Sequence, residues 1–253
     1  MQTLRSIVLK KQDRGEADEL VTFFSRELGW LTGVAKNSRR SRVRFGGHLE
    51  PLSLVDLTVR ARKKDTMVWV DEAQVIKWFG NLRGDISRVA QAVYFLEISA
   101  LFLPEATPDE SLFDFLLALL VSLDQGTPSP VPLILWEIKL LGLLGFGPHF
   151  GDCLVCTKPI VAGQEALFSL RLGGVCHPVC LHSPETKRFV LSPDTLAVVR
   201  RGLALPPEAA SRLRLSKKGT EELRAALHEF VRYLRGEEIK SLRFLEMMQL
   251  TRE

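Results

Sequence analysis

Pro51-Leu52-Ser53-Leu54-Val55-Asp56-Leu57-Thr58-Val59-Arg60 is the stretch on which the fold turns. Side chains along a strand point alternately to opposite faces, so Val55, Leu57 and Val59 share an inward face and Asp56, Thr58 and Arg60 an outward one. Val68 and Val70 repeat the inward pattern one strand later. Working outward, residues 3–10, 19–25, 29–35 and 66–76 are also alternating, β-branched or aromatic, and read as strands beside 51–60. Five short strands without a long helix predict a small five-stranded β-barrel.

Past Gly80 the apolar spacing becomes helical, with Ile86, Val89, Val93 and Leu96 in step, and a second run follows Thr107-Pro108-Asp109-Glu110. Gly126-Thr-Pro-Ser-Pro-Val-Pro132 separates that helix from a third, which Gly145, Gly147 and Pro148 stop. Helices resume at Ser192, one with Leu223, Leu227, Phe230 and Leu234 on a face, the next with Ile239, Leu242 and Leu245. The 253-residue chain, 46% hydrophobic and 25% charged, therefore reads as an α+β multidomain protein. Its expected parts are a barrel over 1–80, a helical domain over 81–148 and 185–253, and a cysteine-bearing module over 149–184 inserted in the helical domain. The apolar stretches 112–123 and 131–147 fall short of the roughly 20 residues that span a bilayer and read as buried helices. An apolar run of only three residues precedes Lys10-Lys11, too short for a secretory signal, so a cytoplasmic location is expected.

All four cysteines lie between 153 and 180. Cys153-x-x-Cys156 and Cys176-x-x-x-Cys180 stand close to zinc-ribbon spacing, in which two tight turns aim four thiolates at one tetrahedral ion. The segment holds too little apolar material for a core of its own, so one structural zinc bound by Cys153, Cys156, Cys176 and Cys180 is expected to fold it. Disulfides or free buried thiols are the alternative, and a reducing compartment disfavours the former. His177 and His182 flank the second pair and could replace a cysteine. His48-Leu49-Glu50 with Pro148 and Cys153-x-x-Cys156 superficially matches a zinc-deaminase signature, but Pro148 is not adjacent to Cys153, and Cys176 and Cys180 would be idle.

Charge is uneven. Residues 1–80 carry 15 Lys and Arg against 10 Asp and Glu, whereas 81–253 carry 19 against 20. The excess gathers in three loops of the expected barrel: Lys36, Arg39, Arg40, Arg42 and Arg44 in a run free of acids, read as a mobile loop; Arg60, Arg62, Lys63 and Lys64 at a hairpin; and Lys10, Lys11 and Arg14 at the first turn. A solvated face is the ordinary reading of one such run, but three in one small domain suit a polyanion held without sequence preference. Trp30, Phe45 and Trp69 could stack on bases, Phe45 being the candidate chosen. No nucleotide-binding glycine loop or His-Glu-x-x-His is present, and Asp71-Glu72 and Glu237-Glu238 are adjacent and point apart, so a non-enzyme is expected.

Several segments in order resemble one family. Arg14-Gly-Glu-Ala-Asp-Glu-Leu20, Leu28-Gly-Trp-Leu-Thr-Gly-Val-Ala-Lys36, Ser38-Arg-Arg-Ser-Arg42, Leu49-Glu-Pro-Leu52 and Trp136-Glu-Ile-Lys-Leu-Leu-Gly-Leu-Leu-Gly-Phe-Gly-Pro148, then the cysteine pairs, resemble the bacterial RecO recombination-mediator family. That resemblance implies an oligonucleotide-binding (OB) barrel, a helical domain and a zinc module. It implies binding of single- and double-stranded DNA, strand annealing without ATP, work with RecR, engagement of the acidic C-terminal tail of the single-stranded-DNA-binding protein, and indirect help in loading RecA. An acidic tail would suit an apolar groove with a cation such as Lys139 at its rim. The rival readings are a protein-recruiting adaptor with little DNA affinity and a zinc-dependent nucleic-acid enzyme.

Overall fold

A computed structural model describes the chain except residues 62–66, 127–129, 182–186, 206–209, 211 and 251–253. It contains two compact units, residues 1–127 with 244–253, and residues 128–243. Residue 80, where strands give way to helices, lies inside the first.

Five strands form the barrel: β1 (Gln2–Arg14), β2 (Asp18–Ser25), β3 (Gly29–Ala35), β4 (Leu54–Ala61) and β5 (Val68–Lys77). They close in the order β1-β2-β3-β5-β4, antiparallel throughout except where β3 runs parallel to β5 from Gly33 opposite Val68 to Ala35 opposite Val70. Closure removes the free edges that an open sheet exposes. The alternation of β4 holds: Val55, Leu57 and Val59 are buried, and Arg60 is exposed. They join Leu4, Val8, Val21, Phe23, Leu31 and Val70 in the interior.

The outer face of β2 and β3 is not left to water. Ile7, Phe24 and Trp30 are also buried. Phe24 stacks on Trp30 at 4.7 Å and meets Phe113 at 6.0 Å. Phe113 belongs to α3 (Glu110–Gln125), which follows α1 (Gly80–Arg83) and α2 (Ile86–Phe102). Asp85 and Asp109 cap α2 and α3, their carboxylates accepting otherwise unpaired N–H groups of Ser87 and Leu112. Arg83 fastens α1 to the barrel, donating to the Pro51 carbonyl, the Ser53 hydroxyl (2.8 Å) and the Trp78 carbonyl (2.9 Å).

In the second unit, α4 (Pro130–Leu143) packs with α5 (Pro193–Ala204) and α6 (Lys217–Arg235). Glu222 of α6 accepts from the backbone N–H and hydroxyl of Ser192 and from the Thr195 hydroxyl, which ties the start of α5 to α6. Burial pushes this carboxyl up, but those hydrogen bonds and nearby Lys218 outweigh it and hold it below the usual carboxylate range. Between α4 and α5 lies a small sheet of β6 (Ala166–Ser169), β7 (Gly174–Cys176) and β8 (Phe189–Leu191), ordered β7-β6-β8. Phe168 of β6 packs between Phe150 at 5.7 Å and Phe230 of α6 at 5.5 Å. The cysteine-bearing segment, expected to lack apolar support, thus borrows a core from α6. A last helix, α7, spans Lys240–Leu250. Among the described residues no helix is long and apolar enough to cross a membrane.

Gly29 has φ +74°, and a Cβ there would lie 2.1 Å from the Thr107 carbonyl oxygen. Gly29→Ala is therefore expected to cost about 3 kcal/mol in chemical denaturation; unchanged stability would contradict that close approach. Glu222→Gln is expected to cost about 1–3 kcal/mol at neutral pH, the worth of hydrogen bonds to a charged group. Because the folded carboxyl is depressed, that difference is full above the unfolded value near 4.3 and shrinks as pH falls through the lower folded value, which denaturation at several pH values measures.

Candidate metal centre and candidate nucleic-acid interface

Cys153, Cys156, His177 and Cys180 each bring a ligand atom within 4.8 Å of the other three. Two tight turns make this possible. In the first, Thr157 adopts φ 58° and donates its N–H to the Cys153 carbonyl at 2.9 Å, while the Cys153 N–H reaches the Lys158 carbonyl at 3.0 Å. In the second, a 3-10 turn over Pro178–Cys180 carries the Cys180 N–H to the His177 carbonyl at 3.0 Å. The Leu154 N–H donates to the Val175 carbonyl at 3.1 Å and joins the first turn to β7.

The expected fourth ligand, Cys176, is not one of the cluster, and His177 stands there instead. Cys176 lies in β7 opposite Leu167, fully buried. Neighbouring residues of a strand point to opposite faces, so a step of one residue changes the donor that meets the first turn. His177-x-x-Cys180 has the same spacing as Cys153-x-x-Cys156, whereas Cys176-x-x-x-Cys180 is one residue too long. His182 lies outside the described residues. Arg200 supports the loop from α5, donating to the carbonyls of Phe150 (2.7 Å), Gly151 and Ile160 (2.9 Å), a role the sequence did not announce.

The donor chemistry fits a metal ion. His177 Nε2 donates to the Pro159 carbonyl at 3.3 Å, which leaves Nδ1, 3.4 Å from Cys156 Sγ, as the free lone pair. Burial raises the Cys153 thiol, but the backbone N–H groups of Cys156, His177 and Val155 outweigh it and bring it down to about 6. Cys180 is pushed up to about 11 by desolvation and by the crowding sulfurs of Cys156 and Cys153. Sulfurs this close resist ionising together, and a cation among them removes that resistance. Three sulfurs and one imidazole nitrogen are a donor set of closed, structural zinc sites.

On the barrel, the basic run between β3 and β4 is fastened rather than loose. Phe45 and Leu49 are buried in the barrel interior. The Asn37 N–H donates to Asp18 (2.9 Å), that of Arg39 to the Ala17 carbonyl (3.2 Å), and that of Ala73 to the Arg44 carbonyl (3.0 Å). Phe45, expected to stack on bases, is therefore core, as is Trp30. Trp69 is half-buried with the Lys36 ammonium 4.5 Å from its ring centre.

The predicted cations divide by their partners. Arg39 pairs with Asp13 at 3.3 Å, Arg40 with Glu16 at 3.6 Å and Arg60 with Asp71 at 2.9 Å. Arg44 turns back to Ser41 and the Lys36 carbonyl. Lys11 lies between Glu19 and Glu50. Lys10, Arg14 and Arg42 are exposed and form no ion pair with a described residue. Arg62, Lys63 and Lys64 lie outside the described residues. Exposed pairs such as Arg40–Glu16 are worth about 0–1 kcal/mol and yield easily to a competing phosphate. His48 donates Nδ1–H to the Ala73 carbonyl at 2.7 Å, a role that belongs to the barrel wall. Lys139 is half-buried on α4.

The family model described as "Recombination protein O N terminal" matches residues 1–79, and "Recombination protein O C terminal" matches residues 83–243. Similar proteins include the DNA repair protein RecO of Anaeromyxobacter sp. (strain K), 34% identical over 247 residues that cover 96% of this chain and 95% of that one. The DNA repair protein RecO of Syntrophus aciditrophicus (strain SB) is 30% identical over 243 residues, 96% and 94% of the two chains. That of Syntrophobacter fumaroxidans is 30% identical over 256 residues, 99% and 100% of the two.

Elemental analysis and site substitution separate the two ligand sets. Protein purified without chelator is expected to hold about one zinc per chain. Cys176→Ala should retain it, and His177→Ala should lose it; the reverse pattern would restore the four-cysteine site.

Proposed function

This chain belongs to the recombination protein O family of DNA repair proteins, and on that premise we propose that it binds single- and double-stranded DNA without sequence preference and anneals complementary strands without ATP. The observation that carries the reading is the basic run 36–44 pinned across the barrel, with Arg42 exposed within it, Lys10 and Arg14 exposed on the same barrel, and Arg39, Arg40 and Arg60 in surface ion pairs. Each cation set against a phosphate releases condensed counterions. A surface that screens two backbones lowers their repulsion and raises their local concentration, after which base pairing completes the duplex. No bond is made or broken, so no catalytic residue is assigned.

In this reading the barrel over 1–80 is the DNA-binding part. The helical residues 81–148 and 185–253 meet protein partners, namely RecR and the acidic tail of the single-stranded-DNA-binding protein, and through them assist RecA loading. The module over 149–184 carries one zinc ion, held by Cys153, Cys156, His177 and Cys180. The ion supplies fixed geometry and charge neutralisation for the two turns and no chemistry on DNA. The setting of this activity is the cytoplasm, at the nucleoid.

A salt titration tests the proposal. Affinity for single-stranded DNA should fall linearly on a logarithmic scale as salt rises, and reversing Arg39, Arg40 and Arg42 to Glu should weaken it several-fold. Neutralising the same three to Gln should flatten the slope by about 2, at roughly 0.7 per phosphate contact. Undetectable binding at low salt would leave the adaptor reading instead.

A further inference from the structure

The basic run lines a half-open cavity of about 570 Å³ on the barrel, within the roughly 300–1,000 Å³ usual for small-ligand sites. Its lining is not that of a phosphate site alone. Arg39 and Arg42 contribute cations, while Glu19, Ser38 and His48 contribute polar groups of other kinds, with Phe45 beside them. Glu19 is only 7% exposed, and Lys11, which lies between it and Glu50, offsets one carboxylate of the two.

Ser38 is 7% exposed, and its hydroxyl is buried without a hydrogen-bond partner. A buried hydroxyl left unpaired costs about 1–3 kcal/mol, so it calls for a partner that the protein itself does not supply. His48 donates its Nδ1–H to the Ala73 carbonyl, which can only accept, so in the neutral ring Nε2 is an acceptor. Gly46, at φ +42°, keeps space beside that nitrogen, since a Cβ there would lie 3.3 Å from Nε2 and 2.9 Å from the Arg42 carbonyl. The cavity therefore offers a carboxylate and an imidazole acceptor, a hydroxyl of either sense, and guanidinium groups at Arg39 and Arg42.

We propose that this cavity takes a single unstacked nucleotide of a DNA strand, its base turned toward Glu19, Ser38 and His48 and its phosphate toward Arg42 and Arg39. Carboxylates and neutral imidazole nitrogens accept from the amino and imino N–H groups that unpaired bases display, and pairing in a duplex occupies those groups. The site thus distinguishes an unpaired strand from a duplex while the surrounding cations do not. Arg42 has no ion pair with a described residue to give up, and the Arg39 pair with Asp13 is solvent-exposed. The inference rests on the DNA-binding reading above and adds a base-recognising pocket to it.

The test compares a single-stranded oligonucleotide with the same phosphodiester chain lacking bases, at matched salt, by fluorescence anisotropy. Wild-type protein is expected to favour the base-bearing strand about tenfold, the size of one base contact. Ser38→Ala is expected to lose most of that preference while its chemical denaturation midpoint stays level or rises, because an unpaired hydroxyl has been removed. Equal binding of both strands overturns the pocket and leaves the DNA-binding reading standing. In parallel, deoxycytidine monophosphate should shift the ring resonances of His48 in nuclear magnetic resonance spectra where inorganic phosphate does not. If the nucleotide leaves them unmoved, the proposal fails, whatever the affinity for strands.

Discussion

Phe45 and Leu49, buried inside the barrel, decide what the run of cations before them can do. A chain segment with five positive charges in nine residues repels itself and would otherwise remain extended in water. Burying two large apolar side chains, each worth about 1.5–3 kcal/mol, opposes that tendency. The backbone links from Asn37, Arg39 and Arg44 to the neighbouring strands then set where each charge stands. Only after this anchoring do the arginines become a surface with a direction, and only then is there a cavity beneath them.

The barrel was legible in the sequence because its strands obey a two-residue period wherever one face is wet. In β4 the period is clean, and the inward set Val55, Leu57 and Val59 could be read directly. It fails at Phe23 and Phe24, both buried, since one fills the barrel and the other lies under α3. Burial on both faces erases the alternation, so the helix that covers β2 left its mark as an interruption of pattern rather than as a pattern. Charge concealed more than hydrophobicity did: a run of Arg and Ser read as a loose loop, because the two residues that pin it, Phe45 and Leu49, sit apart among glycines.

The cysteine–histidine cluster shows a different limit. Counting cysteines gave the right segment and three of the four clustered side chains, but donor choice depended on which way a strand faces as it ends. Cys176 ends β7 buried in the sheet, and His177, the first residue beyond it, meets the opposite turn. The equal spacing of Cys153-x-x-Cys156 and His177-x-x-Cys180 was the available signal, and it outweighs the identity of the residue. Ser38 left no such signal, because an unpaired hydroxyl is a property of surroundings and not of spacing.

Arg200 bears on how the cluster behaves in time. Its guanidinium holds the carbonyls of Phe150 and Gly151 on one side of the first turn and of Ile160 on the other. The ends of the loop are thereby gripped by charge-assisted hydrogen bonds from α5, which do not depend on sulfur ionisation or on a bound ion. Departure of a metal would slacken the turn between those points without releasing its ends. Reloading then becomes a local encounter between an ion and a waiting template, rather than an event that must wait for the domain to refold.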